Sequence, residues 1–170
     1  HYKYKEIQVF IYRAPTGLYQ NAAAAELTGF DFDFNWKATP ELSLVLGGSY
    51  VHSKYTSFPG ASVYFQTPAA GCEAGGLPFP CGNFEAAVNV TGNQLQNAPK
   101  FTGNASVDYH HDFSAGRFGI NAGLTYNSGF PFDVGGHIEQ PEYVLLNSEI
   151  SFAPSGIDGL RLVVWGKNLT

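Results

Sequence analysis

The sequence predicts an all-β chain, an antiparallel up-and-down segment of a transmembrane β-barrel. Three observations lead there. Apolar and polar residues alternate with a period of two along several segments. The connections between those segments alternate between short and long. Only 14% of the 170 residues are charged, against roughly 25% in soluble domains, yet mean hydropathy is just −0.11. Few charges, 14 Phe and 10 Tyr without high hydropathy suit strands with one apolar face.

The clearest alternation lies in residues 28–37. There Phe30, Phe32, Phe34 and Trp36 interleave with Asp31, Asp33, Asn35 and Lys37. In a strand, successive side chains point to opposite faces, so all four aromatics share one face. Leu42, Leu44, Leu46 and Tyr50 then oppose Ser43, Gly47, Ser49 and Ser53. Phe118, Ile120, Ala122, Leu124 and Tyr126 oppose Gly119, Asn121, Gly123, Thr125 and Asn127. Val144, Leu146, Ile150 and Phe152 oppose Asn147, Glu149 and Ser151. The last segment is less regular, with Leu160, Leu162 and Val164 against Arg161, Val163, Trp165 and Lys167. Seven strands are expected, near 2–12, 19–38, 42–56, 99–112, 117–130, 142–153 and 160–168.

Thr39-Pro40-Glu41, Ser114-Ala115-Gly116 and Pro154 to Gly159 read as tight turns. Residues 56–98 and 131–141 read as long loops, the first rich in Gly, Pro and Asn. Outer-membrane barrels sort their connections this way, with short periplasmic turns and longer extracellular loops. Tyr2, Tyr4, Trp36, Tyr50, Tyr55 and Trp165 fall near strand ends, where an interfacial aromatic girdle would place them.

Several classes are excluded. No run approaches the roughly 18 apolar residues that a spanning helix needs. The formal charge is −5, and no basic stripe is present, which argues against nucleic acid as a partner. Nucleotide-loop and serine-nucleophile motifs fail on inspection, so no enzyme and no cofactor are expected. Two cysteines are too few for a zinc site.

Three short stretches, Asn21 to Asp31, Asn97-Ala98-Pro99-Lys100-Phe101 and Trp165-Gly166-Lys167-Asn168-Leu169-Thr170, resemble stretches of the TonB-dependent receptors of bacterial outer membranes. They occur in that family's order. The resemblance implies a 22-stranded barrel with an N-terminal plug. It also implies uptake of a scarce nutrient such as a ferric siderophore, driven through the TonB complex. On this reading residues 1–170 are a partial barrel domain, with 56–98 as a long extracellular loop. The odd strand count and the start without Met lead us to expect the plug, the TonB-contacting region and the last strand outside this chain. The implied partners are outer-membrane lipid, the receptor's own plug, TonB and a small-molecule ligand. A passive porin-like barrel and a soluble β-sandwich binding domain are the rival readings. Open strand edges and an exposed aromatic face predict aggregation in water.

Candidate site residues follow from these elements. Cys72 and Cys81 fit a small disulfide-closed loop, which an oxidising exterior permits. That loop, with Phe79 in it, either touches ligand as a rigid finger or only staples the chain. His137 and Glu139 lie in the second long loop and either contact ligand or are simply solvated. Asp31, Asp33, Asn35, Asn121, Asn147, Glu149, Arg161 and Lys167 are expected to face the lumen. They would line a path, meet a plug or only hold water. Asp108-Tyr109-His110-His111-Asp112 brings metal binding to mind, but neighbouring strand residues point apart, so no metal site is expected.

Overall fold

The computed structural model describes the backbone of residues 2–13 and 16–170, and side-chain surroundings from Ala24 onward. Seven long strands form one antiparallel sheet. They are β1 (Tyr2–Arg13), β2 (Thr16–Lys37), β3 (Leu42–Ser57), β6 (Phe101–Phe113), β7 (Gly116–Asn127), β10 (Tyr143–Pro154) and β11 (Leu162–Gly166). Their spatial order is β1-β2-β3-β6-β7-β10-β11, so each long strand lies beside its neighbour in sequence. The order does not return to β1, and the sheet is open at β1 and β11.

The 56–98 connection is not the plain loop expected from its composition. It holds a hairpin of β4 (Ala61–Gln66) and β5 (Asn83–Val88), with a short helix α1 (Ala69–Ala74) between them. The alternation Ala61, Val63, Phe65 against Ser62, Tyr64, Gln66 is the local reason. The second long connection carries a two-residue ladder of β8 (Phe130–Pro131) and β9 (Glu139–Gln140).

Register separates the two faces of the sheet. Leu42, Tyr109, Ile120, Ile150 and Val164 lie side by side across five strands. One residue along, Ser43, Asp108, Asn121, Glu149 and Trp165 form the next row. Because the side-chain period is two, the first row belongs to the apolar face and the second to the polar face. Trp165 lies on the polar face beside Glu149, as its alternation with Leu162 and Val164 predicts, which sets it apart from a lipid-facing girdle.

The chain divides into two compact units. The sheet unit comprises residues 29–51, 99–129 and 141–170. Its apolar face is exposed: Phe30 is 61% accessible and Val164 75%. Rows of large apolar side chains open to solvent suit hydrocarbon as the surrounding medium. Its tight turns follow local chemistry. At Gly116, φ is +146° and a Cβ would stand 2.3 Å from the Ala153 carbonyl oxygen, so only glycine fits.

The loop unit comprises residues 1–28, 52–98 and 130–140. It is organised as a soluble domain is, around a buried cluster of Ala25, Tyr55, Phe58, Ala61, Val63, Val90 and Val134. Tyr55, expected at an interface girdle, is instead only 2% exposed within this core. The side chains of Tyr2 and Tyr4 lie outside the described residues.

Candidate functional site

Two arrays of side chains deserve the name of site: the surface of the loop unit and the polar face of the sheet unit. In the loop unit the two long connections are tied together. The Asn93 amide donates to the Val134 carbonyl at 3.1 Å, and the Gln96 amide to the Phe132 carbonyl at 3.2 Å. The Asn97 N–H donates to the Pro131 carbonyl at 2.9 Å. These bonds satisfy backbone carbonyls that a free loop would leave to water. Within the second connection, Asp133 accepts from the N–H groups of Gly135, His137 and Ile138 at 2.8–3.0 Å. One carboxylate thus holds the whole turn in shape.

Cys72 and Cys81 are joined in a disulfide, with Cα atoms 5.6 Å apart. Cys72 is fully buried within α1, whereas Leu77 and Phe79 in the enclosed segment are more than half exposed. The bridge therefore presents apolar side chains outward from an anchored base. His137 lies in the other connection. Its ring meets Phe65 edge-on, with centroids 4.8 Å apart, and its Nδ1 lies 3.6 Å from Asp133. Glu139 is exposed in β9 opposite Pro131.

Phe65 itself stacks on Phe84 at 5.8 Å. Phe65 and Phe84 escaped the sequence reading because their segment read as loop. Register makes them a cross-strand pair, and only the hairpin makes that visible.

On the polar face, the lumen candidates gather in two places. Asp33 and Asn104 both approach Gly47, whose missing side chain leaves them room: a Cβ there would be 3.1 Å from one carboxylate oxygen and 2.7 Å from the amide oxygen. Farther along the sheet, Arg161 donates to Glu149 at 2.7 Å and to Ser151 at 3.2 Å. The Asn121 amide donates to Asp108 at 3.3 Å, in the same cross-strand row as Glu149. Asn147 accepts the Asn168 N–H at 3.1 Å, and the Lys167 ammonium sits 5.7 Å from the Trp165 ring centre. Asp31 and Asn35 share the polar side of β2 with Asp33. Most of these groups are exposed and Glu149 and Ser151 half-buried, so the pairs add little stability.

The two histidines divide as strand geometry requires. His110 registers with Gly119 on the polar face, and His111 with Phe118 on the apolar face. His111 packs edge-on against Phe113, with centroids 4.5 Å apart. Among the described residues no group of three His, Cys, Asp or Glu gathers as a metal site.

The model of TonB dependent receptor-like β-barrels matches residues 1–169. The chain belongs to that family. Solved receptors share its fold. The ferric yersiniabactin uptake receptor FyuA from Yersinia pestis superposes with a TM-score of 0.66 at 17% identity, over 98% of this chain and 21% of that one. The siderophore receptor PiuA from Acinetobacter baumannii gives 0.61 at 19% identity, over 95% of this chain and 20% of that one. The chain thus spans about a fifth of the length of those receptors. No curated protein sequence matches it. Family and neighbours are transport receptors rather than enzymes.

Two of the family-like stretches acquire a physical reason. Asn97 and Asn168 are the two non-glycine residues with positive φ among the described residues, at 53° and 52°. Asparagine tolerates this left-handed conformation better than most residues. Each also turns its N–H onto a neighbouring element, Asn97 onto Pro131 and Asn168 onto the Asn147 side chain.

Proposed function

We propose that this chain is part of an outer-membrane receptor for TonB-dependent uptake of a scarce nutrient, a ferric siderophore or a compound handled like one. The match of the receptor-barrel family over residues 1–169 is the observation that carries the reading. The two-faced sheet supports it, since a barrel turns its apolar face to lipid and its polar face to the lumen. On this reading Asp31, Asp33, Asn35, Asn121, Asn147, Glu149, Arg161 and Lys167 line the lumen and meet the receptor's own plug. The connections 56–98 and 130–140 form the extracellular surface, where Phe79, His137 and Glu139 are exposed to ligand. TonB engages a region outside this chain. The receptor resides in the outer membrane of a bacterial cell.

The test is uptake. In the parent cells under iron limitation, deletion of the gene is expected to abolish accumulation of at least one radiolabelled ferric siderophore. Deletion of TonB should do the same. Accumulation that persists without TonB but needs this gene would point to a passive porin-like barrel. A monodisperse, detergent-free monomer would instead return the chain to the soluble β-sandwich reading.

A further inference from the structure

We infer that the row of rings Phe84, Phe65 and His137 in the loop unit is a subsite for an organic cation, such as the protonated amine of the transported nutrient. The inference rests on the receptor reading above and names part of the ligand's chemistry.

Three features converge on it. The first is the rings themselves. Phe65 and Phe84 stack as a cross-strand pair at 5.8 Å, and His137 from the other long connection meets Phe65 at 4.8 Å. The second is fixity. Phe65 packs against the buried cluster, so the row is held from behind, while Phe84 is 47% exposed and the His137 side chain 46%. The third is charge. Residues 56–98 and 130–140 contain Glu73, Glu85, Asp133 and Glu139, but no Lys or Arg. Asp133 lies 3.6 Å from His137, the one basic side chain in these two stretches, whereas Glu85 registers with Tyr64 on the other face of the hairpin.

Aromatic faces carry negative potential and attract cations, more strongly where water is partly excluded. Carboxylates around such rings add to that field. Lys54 in the same unit is paired with Glu26 at 3.9 Å, and residues 56–98 and 130–140 offer an anionic chelate no Lys or Arg. A positively charged amine on an apolar stem meets the ring faces and the Asp133 carboxylate beside His137.

The experiment uses the full receptor that carries this chain, purified in detergent, and saturation-transfer NMR. The probes are benzylammonium, benzyl alcohol and benzoate, which share one ring and differ in charge. Benzylammonium should give the strongest transfer and benzoate none. Phe84→Leu keeps apolar volume but removes the π face, and should cut the benzylammonium signal roughly threefold. Equal transfer to all three probes, a preference for benzoate, no transfer at all, or a Phe84→Leu variant indistinguishable from wild type would each overturn the inference. Uptake separates this from the parent reading. Intact TonB-dependent uptake with a failed probe pattern sinks the cation subsite alone. The expected probe pattern without TonB-dependent uptake sinks the receptor assignment alone.

Discussion

In the loop unit Tyr55 and Val63 are each 2% exposed, while in the sheet unit Phe34 and Trp36 are half open. The two units draw on the same apolar residue types but place them oppositely. The loop unit turns its apolar groups inward onto one another, which is the solution a chain finds in water. The sheet unit turns them outward in rows, which is stable only where the medium is itself apolar. One polypeptide thus carries two solvents in its design. Composition averaged over the chain therefore describes neither part.

The largest expected effect breaks the loop unit alone. Tyr55→Ala removes the largest fully buried side chain of its core and should cost about 3–5 kcal/mol there. Hydrogen exchange should show amides of 56–98 and 130–140 opening while those of β6 and β7 keep their protection. Equal loss in both units would mean that the two are not energetically separate.

The next effect sharpens the contrast between the two faces of the sheet. Ala122 and Asn121 are neighbours in β7 on opposite faces. Ala122→Arg puts a charge on the apolar face in mid-strand and should cost about 2–4 kcal/mol in lipid bilayers. Asn121→Arg on the polar face should cost far less. Urea titrations of the receptor folded into vesicles would measure both, and similar losses would remove the assignment of faces.

A smaller effect concerns the disulfide. Cys72→Ser opens a short closed segment in the loop unit and should cost about 2 kcal/mol. Protease cleavage between α1 and β5 should rise, and reductant should reproduce it in the wild type. The sheet unit should not respond.

The smallest expected effect lies at a tight turn. The Thr39 hydroxyl, with help from the Glu41 backbone, holds the Glu41 carboxyl below its ordinary range. The Thr39 oxygen also accepts the Leu42 N–H at 3.1 Å. Because the folded value is depressed, this contribution is present above the ordinary carboxylate range and is lost as pH falls through the folded value. Thr39→Ala should return the Glu41 titration upward toward normal, as read by carboxyl-carbon NMR. An unmoved titration would show that the hydroxyl is not its cause.

The seven long strands were legible in the sequence because period-two alternation is a local property. Phe30 to Trp36 needs no partner to declare its face, and Gly116 declares its turn. The tight turns were legible for the same reason. Position near a strand end does not fix burial, which is why Tyr55 departs from a girdle, whereas the alternation of Trp165 with Leu162 and Val164 already gives its face. Tyr55 sits where β3 enters the loop-unit core, and Trp165 is set to the polar face by its register with Glu149. The 56–98 hairpin was hidden because Gly and Pro around it are turn formers, and a six-residue alternation is weak evidence by itself.

By itself, then, the sequence determined the fold class, the strand order and the family, since alternation, turn length and short motifs are all encoded within neighbouring residues. Only the tertiary structure decided that the two long connections share one buried core, that Phe65, Phe84 and His137 meet, and that Arg161 finds Glu149. Those contacts join residues between 12 and more than 50 positions apart, and no local pattern specifies which distant side chain will arrive.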